Sequence, residues 1–487
     1  MATRSPILAE GCASARLGAI IVVQKLMKTI LLNPCLAIFL ASTCLAQQTS
    51  PEDPAAVRKI DRVVKQQMVA NTIPGVSLAV LRKGKILLLK SYGLANVEHY
   101  VPVKPATVFQ SGSIGKQFTA AAVMILVQEN KLSLDDKISK YFPDVPATWK
   151  DITIRHLLTH TSGLGDYPSE IDLKRDYTED ELFSAFKKTP LDFQPGSNWN
   201  YSNVGYVTLG QLIRKITGKF YGDFINERIF QPLEMTTARV ISEADIVPNR
   251  AAGYRLVQGE LKNQEWVSPS TNSTADGSLY FSILDLAKWD AALYTDKPLT
   301  QSSRDKIWTP AKLNSGTTKN YGFGWHLGEY HGHRLAFHGG AWQGFKTFIM
   351  RFRDTELTII FLANSWETRD FKFARRLAST FYPAFALPEV KTIADTEPKT
   401  TSMIRRALMQ IVMHSDENKE VAQSLTAFSL PAAIIHSSEL IERKTENNHR
   451  VYRYLLTDIG RSAICTVKLT SDDKIASIEV EELRAHR

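Results

Sequence analysis

Ser113 and Lys116 stand three residues apart at the mouth of an apolar run, Phe118 to Val127, within the stretch that begins Phe109-Gln-Ser-Gly-Ser113-Ile-Gly-Lys116. On a first helical turn that spacing projects both side chains from one face. A serine hydroxyl must hand its proton to a neighbour as it attacks, and a lysine partly desolvated at a helix mouth can be tuned to help. Serine nucleophile chemistry is therefore the first expectation. The pattern S-x-x-K is short, and a serine near a helix start beside a solvated lysine satisfies it equally well. The rest of the chain has to decide.

Two further clusters bear on it. In Phe193-Gln-Pro-Gly-Ser-Asn-Trp-Asn-Tyr201-Ser-Asn203 a Pro-Gly turn leads into a helix expected from about Val204 to Thr217. A tyrosine near a lysine can accept a proton if cationic neighbours lower its pKa, and an asparagine amide offers a donor and an acceptor to a carbonyl. Ser or Asn at a helix start also caps free backbone N–H groups, and the two roles can coexist. The third cluster is Arg334-Leu-Ala-Phe-His338-Gly-Gly340-Ala341-Trp-Gln-Gly344. Glycines at 339, 340 and 344 flank the end of an apolar strand, which suits close approach of a substrate backbone. His331 and His333, two apart on one strand face, read as surface residues because no third ligand is evident. No Cys/His spacing resembles a zinc site, and neither metal nor cofactor is expected.

The elements that must position these residues follow from pattern. A helix that is apolar on almost every side is buried at the centre of a sizeable domain, and the run after Lys116 is of that kind. A helical stretch is expected from Ala55 to Ala70, then strands at Gly75–Leu81 and Ile86–Tyr92 joined by a Gly-containing turn. Leu132 to Asp136 is read as the start of the next helical connection. Ser282-x-x-Asp285 is read as a capping box rather than a catalytic pair. Tyr321–Trp325, Arg334–Gly344, Phe345–Arg351 and Leu357–Asn364 are four strand-like runs, the last two joined by a turn at Phe352-Arg-Asp354. The fold class is therefore α+β, an antiparallel β-sheet flanked by helices.

At 487 residues the chain is long enough for two or three units, and 44% hydrophobic with 22% charged residues is a globular composition. The net charge of +9 is scattered rather than clustered, which reads as solvated surface and not as a nucleic-acid interface. Residues 27–46, a lysine followed by an apolar run and Cys44-Leu-Ala46, read as a secretory signal with a small-residue cleavage site, residues 1–26 being an upstream extension and Met27 the translation start. Removal of 1–46 would leave Cys465 as the single thiol, unable to form an intramolecular disulfide. Residues 47–56 read as a linker, 57–388 as the main domain and 389–402 as a second linker. Residues 403–487 then form a small α+β unit: an amphipathic helix, Met403 to Met413, and strands at Val451–Leu456, Ser462–Leu469 and Ile475–Val480.

Ser113-Ile-Gly-Lys116, Tyr201-Ser-Asn203 and His338-Gly-Gly340, in this order, resemble the three motifs of the penicillin-recognising serine hydrolases: class C β-lactamases, DD-peptidases and related esterases. Arg155-His-Leu-Leu-Thr-His160-Thr-Ser-Gly-Leu164, Pro232-Leu-Glu-Met235, Ala275-Asp-Gly-Ser-Leu279 and Asp285-Leu-Ala-Lys-Trp289 are similar to further family stretches, so the likeness runs from about residue 57 to 388. The resemblance implies that Ser113 forms an acyl-enzyme, that Lys116 and Tyr201 share its proton and return it to the leaving group, and that Asn203 binds substrate and helps hold Lys116. It also implies an all-helical subdomain beside the sheet, and an oxyanion hole from the backbone N–H groups of Ser113 and Ala341, with His338 and Gly340 lining the substrate strand. His338 stands where many members have the lysine of Lys-Thr-Gly. Histidine is largely neutral at pH 7, which disfavours attraction of a substrate carboxylate and favours an esterase or a peptidase of D-amino-acid peptides over a potent β-lactamase. His160 is expected to tie down a loop.

The expectation is an exported serine hydrolase acting on an ester, a D-amino-acid peptide or a β-lactam, periplasmic or extracellular. Its partners would be a small-molecule, peptide or ester substrate, with transient cell-wall association and no nucleic acid; oligomeric state stays open. The competing expectation is a non-catalytic relative acting as a cell-wall binding or assembly protein. Intact Ser113, Lys116, Tyr201 and Asn203 argue against it, since a binding protein has no physical need for all four.

Overall fold

The computed structural model describes residues 54–330, 332–382, 390–413, 438–457 and 462–483. The expected signal segment, most of the first linker and His331 lie outside them. The described part opens with helix α1 (Pro54–Ala70), whose Ile60, Val63, Val64 and Gln67 recur at the spacing of one helix face and are buried. Strands β1 (Gly75–Arg82), β2 (Lys85–Asn96), β3 (Val101–Pro102) and β4 (Val108–Gln110) follow. β1 is buried from Gly75 to Leu81, the mark of a strand covered on both faces. Val76, Leu78 and Val80 enter one apolar cluster, Ala79 and Leu81 the other. The reason lies in the strand order of the main sheet.

After a 3₁₀ turn at Gly112–Ile114 come helices α2 (Gly115–Gln128), α3 (Ile154–Leu158), α4 (Glu179–Phe186), α5 (Asn203–Thr217) and α6 (Tyr221–Ile225). These pack together, with α5 against α2, α3, α4 and α6, as an all-helical layer. Short strands β5 (Arg239–Val240), β6 (Tyr254–Val257), β7 (Glu260–Asn263) and β8 (Leu279–Ser282) lead to α7 (Ile283–Ala292), α8 (Gln301–Ile307), β9 (Ala311–Lys312) and β10 (Thr318–Lys319). The chain then returns to the main sheet with β11 (His326–Tyr330), β12 (His333–Trp342), β13 (Phe345–Phe352) and β14 (Leu357–Ala363), and α9 (Asp370–Ala378) covers its rear. The sheet is antiparallel, in the order β11-β12-β13-β14-β1-β2-β3. β1 therefore pairs with β14 on one side, Val76 opposite Ala363, and with β2 on the other, Gly75 opposite Gly93.

The remaining elements are α10 (Pro398–Met413) and strands β15 (Glu439–Glu446), β16 (His449–Thr457), β17 (Ser462–Leu469) and β18 (Ile475–Leu483), a four-stranded antiparallel meander. Ile404 and Leu408 of α10 pack on Leu440, Tyr452, Tyr454 and Cys465 of the meander. Glu439 receives Lys372 of α9 at 2.6 Å and also pairs with Arg369, which links the meander to the rear of the main sheet.

The α+β architecture with a helical layer is as expected, and several details differ. Tyr321–Trp325 is not a strand; the ladder begins five residues later at His326, because Gly322 and Gly324 serve a turn in which the Gly322 N–H bonds to the Trp325 carbonyl. β11 ends at Tyr330 and a new strand, β12, starts at His333; His331, expected on the same strand face, lies outside the described residues. Leu132–Asp136 is a turn, followed only by a 3₁₀ turn at Ile138–Lys140. α10 starts at Pro398, inside the stretch read as a linker; proline is well placed at a helix start, where its missing N–H costs nothing. The meander has a fourth strand, β15, whose Glu439-Leu-Ile-Glu-Arg-Lys-Thr-Glu446 carries too many charges to read as a strand. Ser282 and Asp285 do form the capping box at the start of α7.

One buried ion pair fastens the helical side to the sheet. Asp290 of α7 and Arg351 of β13 are 0% and 4% exposed at the side chain and bonded to each other, and Thr358 of β14 donates to Asp290 Oδ1 at 2.8 Å. Arg351 also stacks on Tyr294, 4.7 Å from the ring centre. Removing one partner strands a buried charge, whereas replacing both by apolar groups removes the desolvation cost along with the attraction. Asp290→Ala is expected to lower unfolding free energy by about 3–5 kcal/mol, and the double change Asp290→Leu with Arg351→Met to recover most of it. Denaturant titration of the three proteins checks this; equal losses in the single and double variants would show that the charges are not what matters.

Candidate active site

Ser113 sits in the 3₁₀ turn that feeds α2, and this turn is pressed against the end of β12. Gly112 has φ +50°, and a side-chain carbon there would collide with the backbone nitrogen of Ala341. Glycine is required on both counts. Gly340 faces inward as well: a side-chain carbon on it would strike the Ser111 carbonyl, which accepts from Thr347 Oγ1 at 2.6 Å. The crowding at Gly340 is thus by the chain's own nucleophile turn. Ala341, by contrast, brings its backbone nitrogen against the Gly112–Ser113 turn.

α2 is buried from Gly115 to Leu126, so Lys116 is 0% exposed. Its Nζ donates to Ser113 Oγ (3.2 Å), Asn203 Oδ1 (2.6 Å) and the Asp276 carbonyl (2.6 Å). Three N–H donors meet three acceptors. Burial disfavours the charged amine and brings its pKa down to about 8, partly opposed by the carboxylates of Asp276 and Asp166.

Tyr201 and Asn203 flank the start of α5. The capping role falls to Ser202 between them, whose Oγ accepts from the Gly205 N–H at 2.9 Å and donates to the Gly165 carbonyl at 2.8 Å. Asn203 is then held from both ends, its Oδ1 by Lys116 and its Nδ2 donating to Asp166 Oδ1 at 2.9 Å. The Tyr201 ring lies 4.8 Å from Lys116 Nζ, a cation–π distance. Its hydroxyl is buried with no hydrogen-bond partner in the described structure. Burial pushes the phenol well above its ordinary pKa, and the Ser113 hydroxyl beside it is the group that pulls the other way.

His338 is buried, and its two ring nitrogens are occupied. Nδ1 faces the Gly339 carbonyl at 2.6 Å and so carries the proton; Nε2 accepts from the Tyr321 hydroxyl at 3.1 Å. Burial pushes its pKa well below the usual range, and the charges nearby are His326 and Lys116, which push the same way. His338 is therefore a neutral ring. His160 is buried too, at φ +60°, and its Nδ1 accepts the Ser202 N–H at 3.1 Å. It ties the 160 loop to the Tyr201–Ser202 segment and stacks on Tyr201, with ring centres 4.3 Å apart. Tyr321 lies 4.6 Å from His160 and 4.8 Å from His326, completing a ring of aromatic and imidazole groups around the amine.

Ser113, Lys116, Tyr201 and Asn203 thus converge, the Ala341 backbone joins them, and His338 stands behind with its polar atoms spent. Asp166, Asp276, Tyr321 and His326 belong to the same site and were not singled out from the sequence. Asp276 lay inside a stretch noted for its resemblance, and Asp166 two residues beyond another, but neither has a periodic or spacing signal of its own.

A family model described as Beta-lactamase matches residues 60–380, about two thirds of the chain. The chain belongs to the beta-lactamase family. Within it, Penicillin-binding protein 4* of Bacillus subtilis (strain 168) is 32% identical over 309 residues, 60% of this chain and 68% of that protein. Among solved structures, D-amino acid amidase from Ochrobactrum anthropi SV3 superposes with a TM-score of 0.60 at 26% identity, covering 68% of this chain and 100% of the amidase chain. The octameric penicillin-binding protein homologue from Pyrococcus abyssi superposes at 0.61 and 22% identity, covering 87% of this chain and 98% of its own, a likeness of fold.

The buried imidazoles make the folded state of this family member acid-sensitive. His160 and His338 are held neutral with depressed pKa values, while in the unfolded chain they take up protons near 6.5. The unfolded state then binds more protons below that pH, so their stabilisation is complete above it and is lost as pH falls. The expected slope is about 3 kcal/mol per pH unit for the two, with His326 adding to it down to its pKa of about 4. Denaturant titrations at pH 7.5, 6.5 and 5.5 measure it; a flat profile would show that the imidazoles are not buried neutral.

Proposed function

We propose that the protein is an exported serine hydrolase that forms an acyl-enzyme on Ser113 and opens an ester or amide bond, the substrate class being esters and D-amino-acid amides or peptides more than carboxylate-bearing β-lactams. The observation that carries this reading is the contact of Lys116 Nζ with Ser113 Oγ in a buried setting that brings the amine's pKa to about 8. An amine so tuned is part deprotonated near neutral pH and can take a proton from the hydroxyl it touches.

The steps follow from the geometry. As Ser113 Oγ bonds to the carbonyl carbon, its proton passes to Lys116 Nζ, and the carbonyl oxygen gains negative charge facing the backbone N–H groups of Ser113 and Ala341. Tyr201, kept protonated by burial, is suited to donate from its hydroxyl to the departing alkoxide or amine and to be reprotonated from the Lys116 ammonium. The leaving group departs as an alcohol or amine. Water then adds to the acyl carbon, gives up a proton by the reverse route, and Ser113 leaves with its hydrogen restored. Asn203 and His160 keep Lys116 and Tyr201 in place throughout.

Substrate preference is argued from His338. A neutral ring with both nitrogens bonded offers no fixed positive charge to a carboxylate. The likeness to a D-amino acid amidase supports the amide class, and the kinship with penicillin-binding proteins supports a cell-envelope location. Residues 27–46 support export, and no helix among the described residues is long and apolar enough to cross a membrane.

Intact mass after brief incubation with a fluorophosphonate, with benzylpenicillin and with a p-nitrophenyl ester tests the reading. A phosphonyl adduct and ester turnover, both absent from Ser113→Ala, are expected; folded protein with neither would leave the binding-protein alternative standing. Because the base must be uncharged, kcat/KM should rise with pH through about 8 and level off above it. Lys116→Ala should cost about 10²–10⁴-fold in kcat/KM.

A further inference from the structure

The turn before β8 presents three successive carbonyls to the nucleophile segment. Ala275 O accepts from Thr119 Oγ1 (2.7 Å), Asp276 O from Lys116 Nζ (2.6 Å) and Gly277 O from Ser111 Oγ (2.6 Å). Any residue type supplies such carbonyls, so the backbone bonds do not explain an aspartate at the middle position. The residue is half-buried, and its Oδ1 is closed off from solvent with no hydrogen-bond partner. Desolvation raises the pKa of this carboxyl, and the Lys116 charge first, then hydrogen bonding to Thr274 and to its own backbone, pull it back towards the ionised form. The first opposite charge acting on it is Lys116, and it makes no direct ion pair with that amine, so the two interact through the low-dielectric interior.

We propose that Asp276 is a positioning residue for Lys116: its carboxylate is the counter-charge that keeps the amine protonated in the resting enzyme, and so sets the pH at which Ser113 is activated. The inference rests on the serine-hydrolase reading above. The groups that face Lys116 are consistent with it. Tyr201 and Tyr206 present ring faces from α5, His160 from its loop and His338 from β12 are neutral, and Asp166 is exposed to solvent and already engaged by Asn203. Asp276 is the other carboxylate among them, half-buried and with Oδ1 closed to solvent. Tyr167 and Tyr221, whose hydroxyls both bond to Thr274 two residues before Asp276, are phenols held protonated by burial and carry no charge that could take over its role. Without Asp276 the ammonium would sit in an apolar pocket with Asp166 as the remaining carboxylate, and would give up its proton more readily.

The test is the pH dependence of Ser113 phosphonylation by a fluorophosphonate, followed by intact mass, in wild type, Asp276→Asn and Asp276→Glu. The acidic limb, expected near pH 8 in wild type, should move down by about one pH unit in Asp276→Asn and stay in place in Asp276→Glu. A limb unmoved in Asp276→Asn, with the rate lowered equally at every pH, overturns the inference and leaves Asp276 a packing residue. If wild type is not modified at all, it is the hydrolase reading that fails. Should the variants not fold, wild type labelled with ¹³C-aspartate answers the same question: the Asp276 carboxyl carbon should shift together with the Lys116 titration, and a signal flat through that range overturns the proposal.

Discussion

Burial of the Lys116 amine is the constraint on which the rest of this structure depends. An ammonium taken fully out of water is expensive unless every donor finds an acceptor. Here the acceptors come from three separate places: the turn before α2, the start of α5 and the turn before β8. Those segments lie far apart in sequence and must be brought within 3.2 Å of one atom. The all-round apolar surface of α2, the packing of α5 against it and the glycine at 112 are the means by which they meet. Each would be tolerable in another form if the amine were on the surface.

The surroundings of the amine are chosen from groups that exclude water without adding positive charge. Tyr201, Tyr206, Tyr321, His160 and His338 are aromatic, so their ring faces can receive a cation, and all but Tyr201 bond elsewhere through a polar edge. A lysine at 338 would place a second charge beside the first. The histidine instead surrenders both nitrogens to Tyr321 and Gly339, and the site keeps a single tunable cation. Discrimination by shape and hydrogen bonding, rather than by ion pairing, follows from that economy of charge.

How far the sequence foretold this depends on whether a residue acts locally or at a distance. The Ser113–Lys116 pair, the cap at Ser202 and the box at Ser282–Asp285 are readable because their partners are three residues away or fewer. β1 is readable because its apolar run, interrupted only by the small Ser77, suits a buried strand. Asp166 and Asp276 act on Lys116 across 50 and 160 residues of chain, and nothing in the local pattern marks them. Tyr321 falls in a strand-like run that the glycines at 322 and 324 break, and His326 lies just past that run. β15 was missed for a different reason: its outward face is charged, and only the meander it joins makes it a strand. The glycine at 340 shows that a correct sense of crowding does not say what does the crowding.

The strand order has a consequence for synthesis. β1 lies between β2 and β14, and β14 leaves the ribosome roughly 270 residues after β1, which at about 5–20 residues per second is on the order of tens of seconds. Throughout that interval the β1–β2 hairpin has an open edge and α2 has no sheet beneath it. An unpaired apolar edge is a template for pairing with other chains. A nascent or prematurely terminated chain that stops short of Ala363 therefore holds all of Ser113, Lys116, Tyr201 and Asn203 and still lacks the floor that would assemble them. The message has to be read nearly to the end of the main domain before the nucleophile exists as such.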